Sequence, residues 1–402
     1  MKNILTLLII ILSLTANAQT LQWTGLANPD SLQVNGVSFS ADNSKVLSGT
    51  NCHPAHLRLY QSTTGTMTWD YEVPSSLMCM MGVGFSSDGK YMAAIEEMGN
   101  LVIFDYTPAT PDSINTITMG TTYAFCMAFS PNGYKIAVGG SNGKLQTYQV
   151  VNGQVDLNLV AHSSWVTAVC YAPNNLLLAS GGNDNKVKLY DTTGNLMYTL
   201  NAHTDDITSI RFSPDSKFVY TASLDETIRI WDATNGDLIH TIQVGTKVNA
   251  IDLTPNGAVL AAAGQNGHIL FYNSNTYTQI SSFQQDHNTS ALCLDFDITG
   301  QRLVTGTANG LVTMYNVSAI TSTEEFNYSS DYAVYPNPFV DKINIPSETE
   351  PASIYITDLT GKRIPFTPHS RSIQLNTDLP QGMYFLNLNI KNRNHSFRVT
   401  KE

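Results

Sequence analysis

The feature that most constrains this chain is a short unit that recurs seven times at a nearly fixed period. Each copy closes a strand-like run on an aromatic or aliphatic residue and follows it with a polar turn. The clearest copies are Phe129-Ser130-Pro131-Asn132-Gly133, Tyr171-Ala172-Pro173-Asn174, Phe212-Ser213-Pro214-Asp215 and Leu253-Thr254-Pro255-Asn256-Gly257. Looser ones are Phe39-Ser40-Ala41-Asp42, Phe85-Ser86-Ser87-Asp88-Gly89 and Phe296-Asp297-Ile298-Thr299-Gly300. Successive anchors lie 46, 44, 42, 41, 41 and 43 residues apart, and a period of roughly 40–45 residues is that of a four-stranded propeller blade. A second marker fixes the register: Phe104, Tyr148, Tyr190, Trp231, Tyr272 and Tyr315 each follow their anchor by 19 positions, and Tyr60 follows Phe39 by 21. The two extra residues of the first unit fall in the loop around Asn51-Cys52-His53-Pro54.

Between the markers each unit is a strand, a tight turn and a strand, as in Phe218 to Ser223, Leu224-Asp225-Glu226, then Thr227 to Trp231. β-Branched and aromatic residues favour a sheet, and Asn142-Gly143, Asn266-Gly267 and Asn309-Gly310 supply positive-φ residues at the matching hairpin. No amphipathic helix of useful length occurs from Gln19 to Val317, so this region is predicted to be all-β, a seven-bladed propeller over 19–317. A ring of blades must still join its first to its last. Leu21 to Leu26 resembles an outermost strand without its own inner three, and unit seven stops at Tyr315-Asn316-Val317. The amino-terminal segment is therefore expected to complete blade seven.

Acidic residues outnumber basic ones 32 to 21, a net charge of -11 without a local Lys/Arg cluster, which argues against nucleic-acid binding. The one long apolar run, Ile4 to Leu14, follows Lys2 and precedes Ala16-Asn17-Ala18. It is too short to span a bilayer, and with that small-residue site it has the form of a secretory signal peptide over 1–18, with no transmembrane segment. Five cysteines, Cys52, Cys79, Cys126, Cys170 and Cys293, form no CxxC pair, so no zinc site is indicated. Export permits a disulfide, and Cys52 and Cys79 fall on the same loop face between the first two units.

Unit five ends Ile230-Trp231-Asp232, unit four Leu189-Tyr190-Asp191 and unit two Ile103-Phe104-Asp105, while Ala161-His162 and Ala202-His203 precede units four and five. In these residues the chain resembles the WD-repeat propellers. The resemblance implies a buried hydrogen-bonded tetrad of His203, Thr221, Asp225 and Trp231 in blade five. Blade four keeps His162, Ser180 and Asp184 but carries Tyr190, and the other blades are expected to lack the tetrad. A pair repeated in neighbouring blades is scaffolding rather than catalysis. The resemblance also implies a wider top face formed by the residue before each innermost strand: Gln33, Cys79, Tyr123, Trp165, Asp206, Lys247 and Ser290. Tyr123 and Trp165, in adjacent blades, are the strongest candidate anchors for a partner. Cys126, Cys170 and Cys293 fall inside innermost strands, as small hydrophobes.

Residues 318–333 are polar and linker-like. The stretch 334–402 carries Tyr335-Pro336-Asn337-Pro338-Phe339, Ile354-Tyr355-Ile356-Thr357-Asp358-Leu359-Thr360-Gly361-Lys362 and Leu379-Pro380-Gln381-Gly382-Met383-Tyr384-Phe385, with a basic end at Arg398 to Lys401. In these motifs it resembles the type A C-terminal sorting domain of the type IX secretion system. A small β-sandwich, engagement of that secretion machinery, and a location outside the outer membrane of a Gram-negative bacterium are what this likeness implies. The whole is expected to be a monomeric, non-catalytic scaffold for a protein or glycan partner, with neither cofactor nor metal. The competing reading is a propeller hydrolase, lactonase or quinone-dependent enzyme with its site at the central funnel. Against it, the sequence has no HExxH, no His-x-His and no Trp-Gly-rich docking motif. Asp205-Asp206 and Asn183-Asp184-Asn185 lack calcium-loop spacing and are accounted for by turn chemistry.

Overall fold

The polar turn after each anchor is a hydrogen-bonded box, which is why its residue types recur. Ser40 Oγ donates to Asp42 Oδ1 at 2.6 Å and accepts the Lys45 N–H at 2.9 Å. Ser86, Ser130, Ser213 and Thr254 make the same two bonds in their own blades. Three residues after the box residue the chain adopts positive φ in every unit, at Asn43, Gly89, Gly133, Asn175, Ser216, Gly257 and Gly300. Glycine and asparagine predominate there because they reach this region at least cost. Blade four has Ala172 in place of the hydroxyl, and the Asn174 N–H donates instead to Ser216 Oγ of blade five at 3.0 Å.

A computed structural model describes residues 19–26, 33–51, 55–73, 79–107, 111–119, 123–285 and 289–321, together with 342–344, 353–357, 363–369, 372–375, 382–390 and 393–401. Over the first group the chain forms seven four-stranded antiparallel sheets arranged as a seven-bladed propeller. Blade one runs outward through Val34–Phe39, Lys45–Thr50, His56–Gln61 and Met67–Glu72. Blades two to six begin at Met80, Ala124, Val166, Ile207 and Val248. The second strand is buried along most of its length and the fourth is largely exposed.

The core is divided among the seams between blades: seven apolar clusters of described residues each draw on two successive blades. Packing is close enough to dictate residue size. A Cβ on Gly181 would lie 2.4 Å from Ile207 of the next blade, and one on Gly139 2.5 Å from Val166. At the equivalent place in blade two the sizes are exchanged, with Ile95 sharing its cluster with Ala124 of blade three. Interiors at crystal-like density tolerate such an exchange because summed volume is kept.

Blade seven takes Ala291–Phe296, Arg302–Thr307 and Leu311–Asn316 from one end of the propeller region and Thr20–Leu26 from the other. Thr20 pairs with Asn316, Trp23 with Met314 and Leu26 with Leu311, so the expected clasp is present. Trp23 is 8% exposed, stacks on Tyr60 of blade one at 5.9 Å and donates from Nε1 to the Ser62 carbonyl at 2.8 Å. Gly65, at φ +70, lies under the indole, and a Cβ there would stand 2.7 Å from the ring. The clasp thus holds both sides of the seam at once. Arg302 reinforces it: Nε meets Asp297 at 2.9 Å, its other nitrogens donate to Ser62 Oγ and the Asn43 carbonyl, and the guanidinium lies 5.4 Å from the Phe39 ring centre.

Toward the carboxyl end two antiparallel sheets are described. One orders Lys342–Asn344, Ser372–Leu375 and Phe366–His369, and the other orders Arg363–Ile364, Ser353–Thr357, Gly382–Ile390 and Arg393–Lys401. Pro368 sits on an edge strand, the place in a sheet where proline is tolerated. Ile356 and Leu386 are paired and fully buried. Among the described residues no helix is long and apolar enough to cross a membrane. The expected signal peptide at 1–18 lies outside the described residues.

Candidate binding face and blade tetrads

The residues expected to crown the top face occupy one equivalent place in all seven blades. The carbonyls of Gln33, Cys79, Tyr123, Trp165, Asp206, Lys247 and Ser290 accept from the N–H of Asn51, Glu97, Ser141, Asn183, Leu224, Gln265 and Ala308, at 2.7–3.0 Å. Each bond pins the loop that enters the innermost strand to the turn between second and third strands. What differs is the side chain. Trp165 is 47% exposed and Tyr123 37%, Gln33 and Lys247 are exposed, and Asp206 and Ser290 are half-buried. Burial first, and then neighbouring Asp205, raise the Asp206 pKa, with Lys247 opposing.

Cys79 corrects the expectation. It is only 6% exposed and disulfide-bonded, so it offers no surface to a partner. Cys126, Cys170 and Cys293 are free thiols. Cys52, the partner expected for Cys79, lies outside the described residues.

Phe125 belongs to the face and was not among the expected residues. Its ring stacks on Trp165 at 4.7 Å and on Tyr123 at 6.5 Å, making a three-ring ladder across blades three and four. Tyr123 and Phe125 are two apart on entry to a strand, and that spacing was the available signal; a β-bulge between Ala124 and Cys126 takes Phe125 out of the simple alternation. In other blades the residue at this place ties the ring together. Asn35, Thr167, Thr208 and Asn249 donate to carbonyls of the next blade, those of Met80, Ile207, Val248 and Ala291, at 2.5–2.8 Å. Blade three devotes the position to the aromatic ladder instead. A cleft of about 180 Å³ between blades three and four is lined by Lys135, Asp156 and Tyr171 among others. There Lys135 Nζ and Asp156 Oδ2, 2.6 Å apart, satisfy each other.

Inside blade five, Trp231 Nε1 donates to Thr221 Oγ1 at 2.9 Å, Thr221 Oγ1 lies 2.8 Å from His203 Nε2, and His203 Nδ1 lies 2.8 Å from Asp225 Oδ2. A carboxylate only accepts, so Nδ1 carries the proton and donates to Asp225, and Nε2 accepts from the Thr221 hydroxyl. Blade four repeats the arrangement with His162, Asp184 and Ser180, each contact at 2.8 Å, and Tyr190 replaces the Trp. Burial pulls both imidazoles below their usual pKa, against the opposing pull of Asp184 and Asp225. Burial also acts to raise the Asp225 pKa, but hydrogen bonds from Thr227 and His203 outweigh it and hold the carboxyl below its usual range. Both ring nitrogens are committed in each blade, and among the described residues no three His, Cys, Asp or Glu gather where a metal ion could be held.

The family described as "WD domain, G-beta repeat" matches residues 153–191, 194–232 and 236–273, and "Secretion system C-terminal sorting domain" matches 333–402. A protein of Schizosaccharomyces pombe, "UBP9-binding protein bun62", is 32% identical over 91 residues, 22% of this chain and 16% of that protein. The match thus spans about a sixth of that relative's length.

The chain carries WD repeats within a seven-bladed propeller and matches a secretion system C-terminal sorting domain.

The repeats of the WD-repeat propeller are offset from its blades by one strand. The match at 153–191 opens on Val155–Val160, the outermost strand of blade three, and closes on Val187–Asp191, the third strand of blade four. Each repeat therefore spans a seam, as the clasp does between the chain's distant segments. The namesake Asp232 has its own task, accepting from the Thr234 N–H and hydroxyl at 2.7 and 2.6 Å to set the turn into the fourth strand. Blade seven, among those expected to lack the tetrad, keeps one of its hydroxyls: Thr305, the counterpart of Thr221, accepts at 2.5 Å from Nε2 of Gln285. The sorting domain marks the WD-repeat propeller for export.

Proposed function

We propose that the chain is an exported, non-catalytic scaffold whose Tyr123, Phe125 and Trp165 ladder anchors a protein or glycan partner at the cell surface or in the medium. The observation that carries this reading is the exposure of that ladder. Aromatic side chains dominate binding hot spots because they bury large rigid area at low entropic cost, and a cluster left open beside the funnel has no evident structural need. Residues 334–402 would engage type IX secretion machinery and deliver the propeller beyond the outer membrane of a Gram-negative cell. The non-catalytic reading rests on the turning inward of the His and Asp pairs, which leaves no described imidazole–carboxylate pair of the tetrads facing the funnel.

The test is capture by the immobilised full chain from a panel of neutral oligosaccharides and from the surface-protein fraction of the producing cells. The double variant Tyr123→Ala, Trp165→Ala is expected to bind at least about thirtyfold more weakly, since one hot spot is worth about 2 kcal/mol. Its unfolding temperature should stay close to that of the parent. Undiminished capture by the double variant would remove the ladder from the site.

A further inference from the structure

Six of the seven seams are closed near the turn boxes by the same kind of apolar pair. The residue before the buried aromatic of the third strand is large, and it shares a cluster with the next blade's anchor, as Ile103 does with Phe129, Leu189 with Phe212 and Phe271 with Phe296. Leu59 with Phe85, Ile230 with Leu253 and Met314 with Phe39 complete the set. The seam between blades three and four departs on both sides at once. Thr147 stands where the large residue should, and Tyr171 is the one anchor with a hydroxyl. Thr147 is too short to fill the place, and the cleft of about 180 Å³ opens there.

Two facing hydroxyls could have satisfied each other, and these do not. Thr147 Oγ1 accepts the Leu157 N–H at 3.0 Å and lies 3.4 Å from Asp156 Oδ2. Tyr171 is 8% exposed, and its hydroxyl has no partner among the described residues, a cost that a native interior rarely leaves unmet. Asn132 and Asn175 line the same cleft from the two turns. Asn132 spends its Oδ1 on the Ser130 hydroxyl and the Tyr134 N–H, and among the described residues neither amide nitrogen makes a hydrogen bond.

This chemistry disfavours a charged guest. Lys135 Nζ and Asp156 Oδ2 neutralise each other at 2.6 Å on the cleft wall, so an anion would meet the carboxylate and a cation the ammonium. What is left uncommitted is amide and hydroxyl, set beside the apolar Leu157 and Leu178. A sugar offers the complement: hydroxyls that both donate and accept, around a ring whose faces are C–H. At about 180 Å³ the cleft is below the roughly 300 Å³ at which drug-sized sites begin, so it suits one ring and not a chain.

We propose that the cleft between blades three and four is a site for one neutral sugar residue, its hydroxyls held by Asn132, Asn175, Thr147 and Tyr171. A sugar hydroxyl at the inner end supplies the partner that Tyr171 lacks. The cleft lies at the turn-box end of the blades, opposite to the end that carries Tyr123 and Trp165, and is a second site independent of the ladder. Tyr134, between the lining residues Asn132 and Lys135 in sequence, is 68% exposed and gives a longer glycan an aromatic surface within reach.

Calorimetric titration of the full chain with the methyl glycosides of glucose, galactose, mannose and N-acetylglucosamine tests the site, with inorganic phosphate and methylammonium as charged comparators. At least one glycoside is expected to bind with a Kd of about 1 mM, and neither comparator should. Thr147→Leu installs the kind of residue found in the other six blades. It should abolish binding while the unfolding temperature holds or rises, whereas a sugar held at the ladder would be unaffected. Asn175→Gly suits the positive φ of 59 and should weaken binding about three- to tenfold, the worth of one hydrogen bond; it decides alone if Thr147→Leu does not fold. Silence from all four glycosides, preference for a charged comparator, or undiminished binding in either variant would overturn the proposal.

Discussion

Blades five and three stand at equivalent places in the ring and fill the same interior positions with opposite chemistry. Where blade five has Thr221, blade three has Val138, and where blade five has Trp231, blade three has Tyr148, all four buried. In blade five the polar groups form a closed chain from indole to hydroxyl to imidazole to carboxylate. In blade three the valine needs no partner, and the Tyr148 hydroxyl is buried without one. Sheet pairing and seam packing are the same in both. The difference teaches that the tetrad is one of two ways to fill a blade, and that the blade itself is specified by its strands and its turn box.

The sharpest way to break this comparison is Asp225→Ala. Asp225 accepts from His203, from the Thr227 N–H and hydroxyl, and from the Thr204 N–H. Removing it strands buried donors, for which a loss of about 3–5 kcal/mol is expected. Val138→Ala in blade three deletes two methyl groups and should cost about 2 kcal/mol. Urea unfolding of the two variants checks the order. A loss at Asp225 no larger than at Val138 would show that the tetrad adds nothing beyond apolar filling.

Acid sharpens the contrast in smaller steps. His162 and His203 titrate below their usual value when folded, so the unfolded chain binds the proton first. Stability owed to them is complete above about pH 6.5 and declines as pH falls below it, by at most about 1.4 kcal/mol per unit for each imidazole. Asp184 and Asp225, held below the usual range, add a further decline below about pH 4. Exchange at pH 5 should therefore open blades four and five ahead of blades two and three. Equal opening of all four blades at pH 5 would refute the assignment of neutral, buried imidazoles.

What could be read from the sequence was whatever repeats locally. The turn boxes, the buried aromatic at its fixed distance and the clasp around Trp23 each follow from residues close together in the chain, or from an edge that must be covered. The tetrad of blade five was legible because all four of its residue types and spacings are kept. Phe125, Gln285, Asp252 and Asp295 were not legible for the converse reason. Each acquires its role from a distant residue: Phe125 from Trp165, Gln285 from Thr305, and the two carboxyls from amides of the next blade. Cys79 divides the two cases: a disulfide there was expected from the sequence, whereas the exposure its place in the repeat predicted is not found.

The smallest effect is the most discriminating between the two blade chemistries. Burial alone pushes the Tyr148 phenol up to about 12, with no hydrogen bond to offset it. Tyr148→Phe therefore removes a desolvated hydroxyl and keeps the ring, so stability should be unchanged or rise by up to about 1 kcal/mol. Trp231→Phe in blade five keeps a ring as well, yet it withdraws the indole N–H from Thr221 and leaves a void, and is expected to cost about 2–3 kcal/mol. Thermal unfolding of the pair reads the difference directly. A clear loss in Tyr148→Phe would mean that the phenol is held by an ordered water, and that blade three too contains a polar network, one built with solvent instead of a histidine.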